Sequence, residues 1–285
     1  MPKSYDLHSH TTASDGTLRP AELVEKAAGL DINILAITDH DNVNGVEEAA
    51  QAGQNYGIDI IPGVEISVEF SPGTMHVCGY FIDIENEFLN EKLEFVQQAR
   101  RDRNPKIIEK LNQKEIDITL EEVQQVAGSD QVGRPNIAKV LIQKGYVNGI
   151  KEAFDKYLKK GAPCYVNKKR LDLETAIETI KAAGGIAVLA HPVQLELDSE
   201  KDYRDLLSQV KKAGIVGVEA FSSHHTEDEN QKYYQLSREF DMMVTGGSDF
   251  HGENKPKVKL GIFGENVNVD LEQFLEYGIK EKSIN

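Results

Sequence analysis

The sequence predicts an α/β protein: a barrel of about seven strand–helix units that carries a small helical insertion. Three observations support this prediction. Short apolar runs alternate with amphipathic helical stretches along most of the chain. Runs such as Ile32–Thr38 are apolar at nearly every position, as expected for strands buried on both faces. No glycine-rich dinucleotide fingerprint follows a strand, which favours a closed barrel over an open sheet.

The first part of the chain begins with a short strand that stops at two histidines, His8 and His10. Pro20 suits a first helical turn, and Gly29 marks the end of that helix. A hairpin is expected around the turn Ser71-Pro72-Gly73. The elements predicted here are a strand at 5–7, a helix at 17–29, a strand at 32–38, a helix through 46–50, a strand at 58–61 and hairpin strands at 66–70 and 75–81.

A helical insertion is predicted over residues 88–166. Apolar residues recur there at helical spacing, and no convincing strand interrupts them. The charge changes in the same place: Val96 to Arg170 contains 16 Lys and Arg against 9 Asp and Glu, whereas the remainder contains 16 against 38. We therefore predict a barrel formed by residues 1–87 and 167–285, with a basic, substrate-binding insertion at 88–166.

Strands and helices alternate again after the insertion. Asp172 is a candidate helix cap, and Gly184-Gly185 ends the same helix. The predicted elements are a helix from 172, a strand at 186–189, a helix at 203–213, a strand at 215–220, a helix to about 240, a strand at 242–245 and a last helix from Asp270.

Composition excludes several classes of protein. The chain has 285 residues and a net charge of −15, which is unlike the broadly basic surface of a general DNA binder, so no stable DNA partner is expected. No run approaches the ~18–20 apolar residues that cross a bilayer. The start Met1-Pro2-Lys3-Ser4 leaves no room for a signal peptide, and Cys78 and Cys164 do not suggest a disulfide framework. A cytoplasmic protein without a membrane partner is expected.

The histidines predict the site. Most of them directly follow a predicted strand, and in a parallel barrel the carboxyl ends of the strands share one face, where active sites lie. Imidazoles with a few carboxylates suit manganese, iron or zinc. The candidate ligands are His8, His10, Asp15, His40, Glu65, His76, His191, Asp249 and His251. Nine ligands are too many for one ion, so two or three ions are expected. Such ions can lower the pKa of a shared water, which predicts phosphate-ester hydrolysis by metal-bound hydroxide.

The same residues resemble the PHP (polymerase and histidinol phosphatase) superfamily. The resemblance rests on His8-Ser9-His10, Thr38-Asp39-His40-Asp41, Pro62-Gly63-Val64-Glu65, Ala190-His191-Pro192 and Gly247-Ser248-Asp249-Phe250-His251. It implies a distorted (β/α)7 barrel with a trinuclear metal centre, manganese being the expected metal. By this resemblance His8, His10, Glu65 and Asp249 would hold one ion. A second would bind Asp15, His40 and His251, and a third Glu65, His76 and His191.

Within the superfamily, the position of the insertion and the segment Gly133–Ala138 resemble the 3′,5′-nucleoside bisphosphate phosphatases, some of which also trim RNA from its 5′ end. That branch implies removal of the 3′-phosphate of adenosine 3′,5′-bisphosphate (pAp) to leave AMP. Arg134 is the candidate to grip the phosphate that is not cleaved, with Lys139 and Lys168 as further candidates. His225 is expected to orient phosphate or protonate the leaving group, or to hold a ligand from the second shell. With Asp15 and His251 it forms the predicted catalytic set.

Three alternatives stay open. A histidinol-phosphate phosphatase, or another small phosphomonoesterase, would use the same chemistry, although a cationic substrate calls for acids rather than Arg134. A 5′→3′ exoribonuclease acting on short 5′-phosphorylated RNA could coexist with the phosphatase. A metal-binding module without turnover should show degenerate ligand positions, and none is found. One departure from the family pattern is Val193-Gln194 after Ala-His-Pro, where relatives have Gly-Arg, so one basic group is missing near the pocket.

Overall fold

The computed structural model describes residues 4–127, 132–265, 267 and 269–282. Three parts of the sequence predictions lie outside these ranges. They are residues 1–3 at the chain start, residues 128–131 of the predicted insertion and residues 283–285 of the predicted final helix. The strands are β1 (Tyr5–Asp6), β2 (Ile34–Ile37), β3 (Asp59–Val68), β4 (Met75–Tyr80), β5 (Ile186–Leu189), β6 (Gly217–Ser222) and β7 (Met243–Gly247).

The helices cover the barrel and fill the segment between β4 and β5. They are α1 (Pro20–Ala28), α2 (Val46–Tyr56), α3 (Glu87–Asn112), α4 (Leu120–Ala127), α5 (Arg134–Gln143), α6 (Ile150–Ala153), α7 (Leu173–Ala182), α8 (Glu200–Ala213), α9 (Glu227–Glu239) and α10 (Leu271–Lys282). A π-helical turn at Phe154–Leu158 extends α6, and 3₁₀ turns follow β5 and β7.

The seven strands form one sheet in sequence order, from β1 to β7. The sheet closes where Ser9 bridges to Phe250 in parallel, and the His10 N–H donates to the Phe250 carbonyl at 2.9 Å. Only β4 runs antiparallel to its neighbours β3 and β5 among these strands. That reversal distorts an otherwise parallel barrel, so the predicted fold class, a distorted seven-stranded barrel, is confirmed.

The predicted break in the third strand is wrong. A strand end was expected at Pro62-Gly63, but β3 continues through both residues as far as Val68. Pro62 is the last residue that pairs with β2, and Gly63 is the first that pairs with β4. Antiparallel pairing with β4 begins there and carries the strand on past the proline. A Cβ on Gly63 would lie 2.9 Å from the Gly79 carbonyl oxygen, so only glycine fits.

Two apolar clusters build the barrel. Alternate strand residues such as Leu7, Ala36 and Val188 face inward, and Phe274 of α10 packs with them. The intervening residues, Leu35 and Ile37 among them, pack against the outer helices. Polar residues at the carboxyl ends of the strands therefore sit above an apolar plug, shielded from water.

The helices between β4 and β5 have an apolar cluster of their own, which includes Ile107, Ile137 and Leu158. The division of the chain into 1–87 with 167–285 and 88–166 stays a prediction. Cys78 and Cys164 are buried free thiols. No helix within the described ranges is long and apolar enough to cross a membrane.

Candidate metal centre

The barrel brings all nine predicted ligands to its carboxyl face. His8 and His10 follow β1, His40 follows β2, and His191 follows β5. Asp249 and His251 follow β7, and Asp15 lies in the loop after β1. Glu65 and His76 lie instead within strands β3 and β4, where Glu65 pairs with Cys78 and His76 pairs with Ser67.

Glu65 lies at the centre of the cluster. Its carboxylate is fully buried, and five imidazoles surround it. Oε2 lies 3.3 Å from Nε2 of His8, 3.3 Å from Nε2 of His10 and 2.8 Å from Nδ1 of His40. Oε1 lies 2.7 Å from Nδ1 of His76 and 2.8 Å from Nε2 of His191. A carboxylate with two crowded oxygens is suited to bridging metal ions.

Two further carboxylates flank this arrangement. Asp249 Oδ1 lies 3.0 Å from Nε2 of His10 and 3.5 Å from Nε2 of His8. Asp15 Oδ1 lies 3.2 Å from Nε2 of His251 and 3.9 Å from Nε2 of His40. The ligand atoms fall into groups in which all lie within 4.8 Å of one another: His8, His10, Glu65 and Asp249; His10, Asp15, His40 and His251; His40, Glu65 and His76; and His8, His191 and Glu219.

The polar atoms of this cluster fit divalent metal ions. Seven ligand atoms are buried and have no hydrogen bond of acceptable geometry within the described part of the chain: Nε2 of His8 and His10, Nδ1 of His40 and His76, Oε2 of Glu65, and Oδ1 of Asp15 and Asp249. Buried polar atoms normally have a hydrogen-bonding partner, because burying one without it is costly. Nitrogen and oxygen ligands of this kind suit transition-metal ions, which would satisfy them together.

The pKa values of the carboxylates and of two histidines suit metal binding. His10 would first have to lose a proton, because burial would lower its pKa but Asp249 and Glu65 raise it to about 9. Burial alone would raise the pKa of Glu65 and Asp249, but the facing histidines, and Lys255 beside Asp249, hold both well below their usual range. Burial lowers the pKa of His76 and His251 to about 4. The carboxylates are therefore ionised and these two imidazoles neutral near pH 7, as metal ligation requires.

Residues outside the predicted ligand set orient the cluster. Glu219 accepts from Nδ1 of His8, at 3.1 and 3.2 Å, and from the His191 N–H at 2.7 Å. Asp39 accepts from the Thr11 N–H and from the Ser14 hydroxyl. The sequence analysis missed Glu219, although a carboxylate inside the buried strand β6 was a usable signal.

The backbone is strained at three positions around the cluster. His191 has φ 21°, Asp41 has φ 52° and Asp249 has φ 53°. A positive φ costs a non-glycine residue conformational energy, and residues held in such strained conformations cluster at functional sites. Gly247 permits a close approach nearby: a Cβ there would lie 2.4 Å from the His8 Cβ, so β7 can pack directly against β1.

A cationic cavity of about 240 Å³ opens beside the cluster. Asp15, His40 and His76 form its metal-facing wall. The opposite wall is basic and comes from the helical segment and the chain that follows it: Arg100, Arg103, Arg134, Lys168 and Arg170. Two of these, Arg134 and Lys168, were predicted to bind substrate, and the other three arginines were missed.

Asp41 holds part of this wall in place. Its Oδ2 accepts from Arg100 at 2.7 Å and from Lys168 at 2.9 Å, and all three side chains are buried. Burial, followed by repulsion from Arg100, lowers the pKa of Lys168 to about 7. Arg134 is held differently: it donates to the Leu158 carbonyl at 2.9 Å.

The remaining predicted residues lie elsewhere. Lys139 donates to the Asn254 side chain and is not part of the cavity lining. His225 directs Nδ1 to the Ala220 carbonyl at 3.1 Å and to the Asn230 side chain at 3.2 Å.

The neighbouring histidine, His224, lies at the ligand cluster. His224 hydrogen-bonds to Asp249 through Nε2, and its ring lies 5.5 Å from that of His191. Lys255 joins them, with Nζ 2.6 Å from Oδ2 of Asp249. Adjacent histidines in a loop cannot be told apart by sequence pattern, so the sequence indicated the loop and not the residue.

The comparisons with known proteins agree with this geometry. A "PHP domain" family model matches residues 6–241. A 5′-3′ exoribonuclease of Haemophilus influenzae is 38% identical over 251 residues, which cover 88% of this chain and 91% of that protein. A 3′,5′-nucleoside bisphosphate phosphatase of Chromobacterium violaceum is 33% identical over 247 residues, covering 86% of each.

A solved structure from Bifidobacterium adolescentis, provisionally described as a metal-dependent phosphoesterase, superposes with a TM-score of 0.85 and is 29% identical. The match covers 98% of this chain and 97% of that one. The family model, the relatives and the histidine–carboxylate cluster all support the same family assignment. The chain belongs to the PHP domain family of metal-dependent phosphoesterases.

Proposed function

We propose that this phosphoesterase removes the 3′-phosphate of 3′,5′-nucleoside bisphosphates, converting pAp to AMP. One observation carries the proposal: the ligand cluster and a wall of four arginines and a lysine face the same small cavity. A substrate with two phosphates could place one at the cluster and the other against the basic wall. The name of the Chromobacterium violaceum relative supports the same substrate class.

The cluster would hold two or three divalent ions, with manganese as the proposed metal and iron or zinc as alternatives. His8, His10, Glu65 and Asp249 would form one site. Asp15, His40 and His251 would form a second, and Glu65 with His76 and His191 a third. Bound ions would activate a water molecule and neutralise charge on the phosphoryl oxygens.

The side chains of the chain itself position the substrate. The planar guanidinium of Arg134 can pair with two oxygens of the phosphate that is not cleaved. Lys168 and Arg100 add positive charge, and Asp41 fixes both of them. We assign contact with the scissile phosphate to His224 rather than to His225, because His224 Nε2 lies against Asp249.

The test is phosphate release from pAp by the manganese-loaded protein. We expect release by the wild type and loss of it in His8→Ala. Arg134→Ala should raise KM for pAp more than it lowers kcat, because its contact is remote from the scissile bond. Equal release by wild type and His8→Ala would refute the proposal.

Histidinol phosphate should be assayed in parallel. Its cationic amine would face Arg100, Arg103 and Arg134, so we expect a kcat/KM well below that for pAp. The reverse order would favour the histidinol-phosphate phosphatase. A module without turnover would release phosphate from neither substrate, and the intact ligand set argues against it.

A second activity, 5′→3′ shortening of 5′-phosphorylated RNA, is supported by a larger groove that adjoins the cavity and shares Arg134 with it. The Haemophilus influenzae relative bears that name. End-labelled short RNA should shorten stepwise from its 5′ end in the presence of manganese. An unchanged label pattern would leave only the mononucleotide activity.

A further inference from the structure

A second basic groove adjoins the cationic cavity. It has a volume of about 830 Å³ and shares Thr74, Arg134, Phe154 and Arg170 with that cavity. One wall is the connection from β3 to β4, residues 68–74. The other is formed by Arg134, by Phe154 at the start of the π-helical turn and by residues 159–170. The groove and the cavity therefore adjoin each other, and their common boundary includes Arg134.

The volumes of the cavity and the groove suit different parts of a ligand. Small-molecule sites are typically ~300–1,000 Å³, so the cavity of about 240 Å³ is suited to phosphate and sugar rather than to a whole oligonucleotide. The groove of about 830 Å³ offers more room than one nucleoside needs. A ligand that starts at the metal cluster and fills both spaces would be longer than a mononucleotide.

The chemistry of the groove favours a polyanion with flat groups. Lys159, Lys160, Arg134 and Arg170 line it, against the two acids Glu69 and Glu196. This local excess of positive charge lies on a chain whose net charge is −15. Lys159 and Lys160 are exposed, so their ammonium groups are accessible to a ligand.

Aromatic rings accompany the cations. The Arg134 guanidinium lies 5.6 Å from the centre of the Phe154 ring and 5.5 Å from that of Tyr165. The hydroxyl of Tyr165 is held by Asn167 at 3.1 Å. Partly buried rings beside a basic groove are the means by which proteins bind single-stranded nucleic acid without reading its sequence.

We propose that this groove, bounded by Lys159, Lys160, Tyr165 and the β3–β4 connection, is the track for the second and following nucleotides of a single-stranded RNA. This inference rests on the proposed function, since the first nucleotide would lie in the cavity at the metal cluster. Lys159 and Lys160 line the groove but not the cavity. Replacing them should therefore weaken the binding of an oligonucleotide without changing the hydrolysis of pAp.

The test uses the double variant Lys159→Gln, Lys160→Gln. A matched control is Lys151→Gln, Lys156→Gln, which removes the same charge from exposed lysines of the same segment that do not line the groove. The probe is a 5′-phosphorylated hexaribonucleotide with phosphorothioate linkages, which keeps its charge and resists cleavage. Its affinity for the metal-loaded protein is measured by fluorescence anisotropy, and pAp hydrolysis is measured separately.

We expect the groove variant to bind the hexamer about tenfold more weakly at low salt, with a smaller dependence on salt concentration. The control variant should bind within twofold of the wild type, and both should hydrolyse pAp normally. Equal hexamer affinity in all three proteins, or an equal loss in both variants, would overturn the proposal. A parallel loss of pAp hydrolysis in the groove variant would overturn it too.

The two proposals can fail separately. If the wild type does not hydrolyse pAp but the groove variant alone loses hexamer affinity, the proposed phosphatase activity is wrong and the RNA track stands. If pAp is hydrolysed and the lysine pair has no effect on hexamer binding, the phosphatase stands and the track is wrong.

Discussion

Glu219 shows how a single residue outside the ligand set can control the centre. Its carboxylate is 1% exposed, and it fixes one ring, that of His8, and one backbone amide, that of His191. By accepting from Nδ1 of His8, it keeps Nε2 directed at Glu65 and Asp249, as the ring nitrogen that would face a metal ion. Such partners of ligating histidines set both the tautomer and the ring orientation.

We therefore predict that Glu219→Gln weakens manganese binding by about 10- to 100-fold. The amide oxygen can still accept from His191, but the amide nitrogen cannot accept from Nδ1 of His8. Competition with a fluorescent chelator measures the affinity. Glu239→Gln, on the surface beside Arg204, is the control and should bind manganese like the wild type. Wild-type affinity in Glu219→Gln would show that Glu219 does not orient His8.

Lys168 should give substrate binding a pH dependence. Burial and Arg100 lower its pKa to about 7, with Arg103 adding to the shift and Asp41 opposing it. Its ammonium charge is therefore present below that pH and lost as the pH rises above it. Lys168→Arg keeps its charge throughout.

We expect the ratio of the wild-type KM for pAp to that of Lys168→Arg to rise about tenfold between pH 6 and pH 8.5. Titration of the substrate itself is common to both proteins and cancels in the ratio. Steady-state kinetics across this range measure it. A ratio that stays constant with pH would show that the charge on Lys168 does not hold the substrate.

At the scale of elements, Asp41 joins helix α3 to the barrel. It follows β2, and its side chain accepts from Arg100 of α3, from Lys168 and from the Ser67 N–H at 2.8 Å. Gln97 of α3 also donates to the Asp41 carbonyl at 2.8 Å. One buried carboxylate thus positions the basic wall against the metal-facing wall.

Asp41→Ala should lower the free energy of unfolding by about 3–5 kcal/mol, because it leaves two buried cations without their anion. Urea denaturation of the metal-free protein measures this, so that changes in metal affinity do not contribute. Asp155→Ala removes an exposed carboxylate paired with Lys151 and Lys159, and it should unfold like the wild type. If Asp41→Ala were equally stable, the ion pairs at Asp41 would not anchor α3.

Individual elements differ in how far the sequence could predict them. The buried strands β2, β5 and β7 were recognisable because their apolar runs are local. The continuation of β3 through Pro62 was not recognisable, because it depends on pairing with β4, which the local sequence pattern does not record. The pairing of Asp41 with Arg100 could not be predicted for the same reason, because the two residues lie 59 positions apart.

For the whole molecule, the barrel topology explains why the sequence could place the candidate ligands at one face but could not predict the basic wall. Each strand end delivers its polar residues to one face, so ligands far apart in sequence could be grouped by register alone. The basic wall depends on how the helical segment folds back over that face. Arg134 was expected in this wall, whereas Arg103 and Arg170 were not. Lys139 was expected to bind substrate, but it hydrogen-bonds to Asn254 instead.

The charge distribution follows from the same architecture. The acidic barrel would repel long nucleic acid, whereas the cavity and groove offer positive charge beside the cluster. Under the proposed function, this arrangement would favour small nucleotides and short single strands over duplex DNA.

The most direct test is anomalous X-ray diffraction from crystals of the protein loaded with manganese. We predict two or three anomalous peaks at the carboxyl face of the barrel, each within coordinating distance of the grouped ligands, with Glu65 contacting more than one. No anomalous peak among His8, His40, Glu65 and Asp249, with manganese found only at the surface, would contradict the existence of the metal centre.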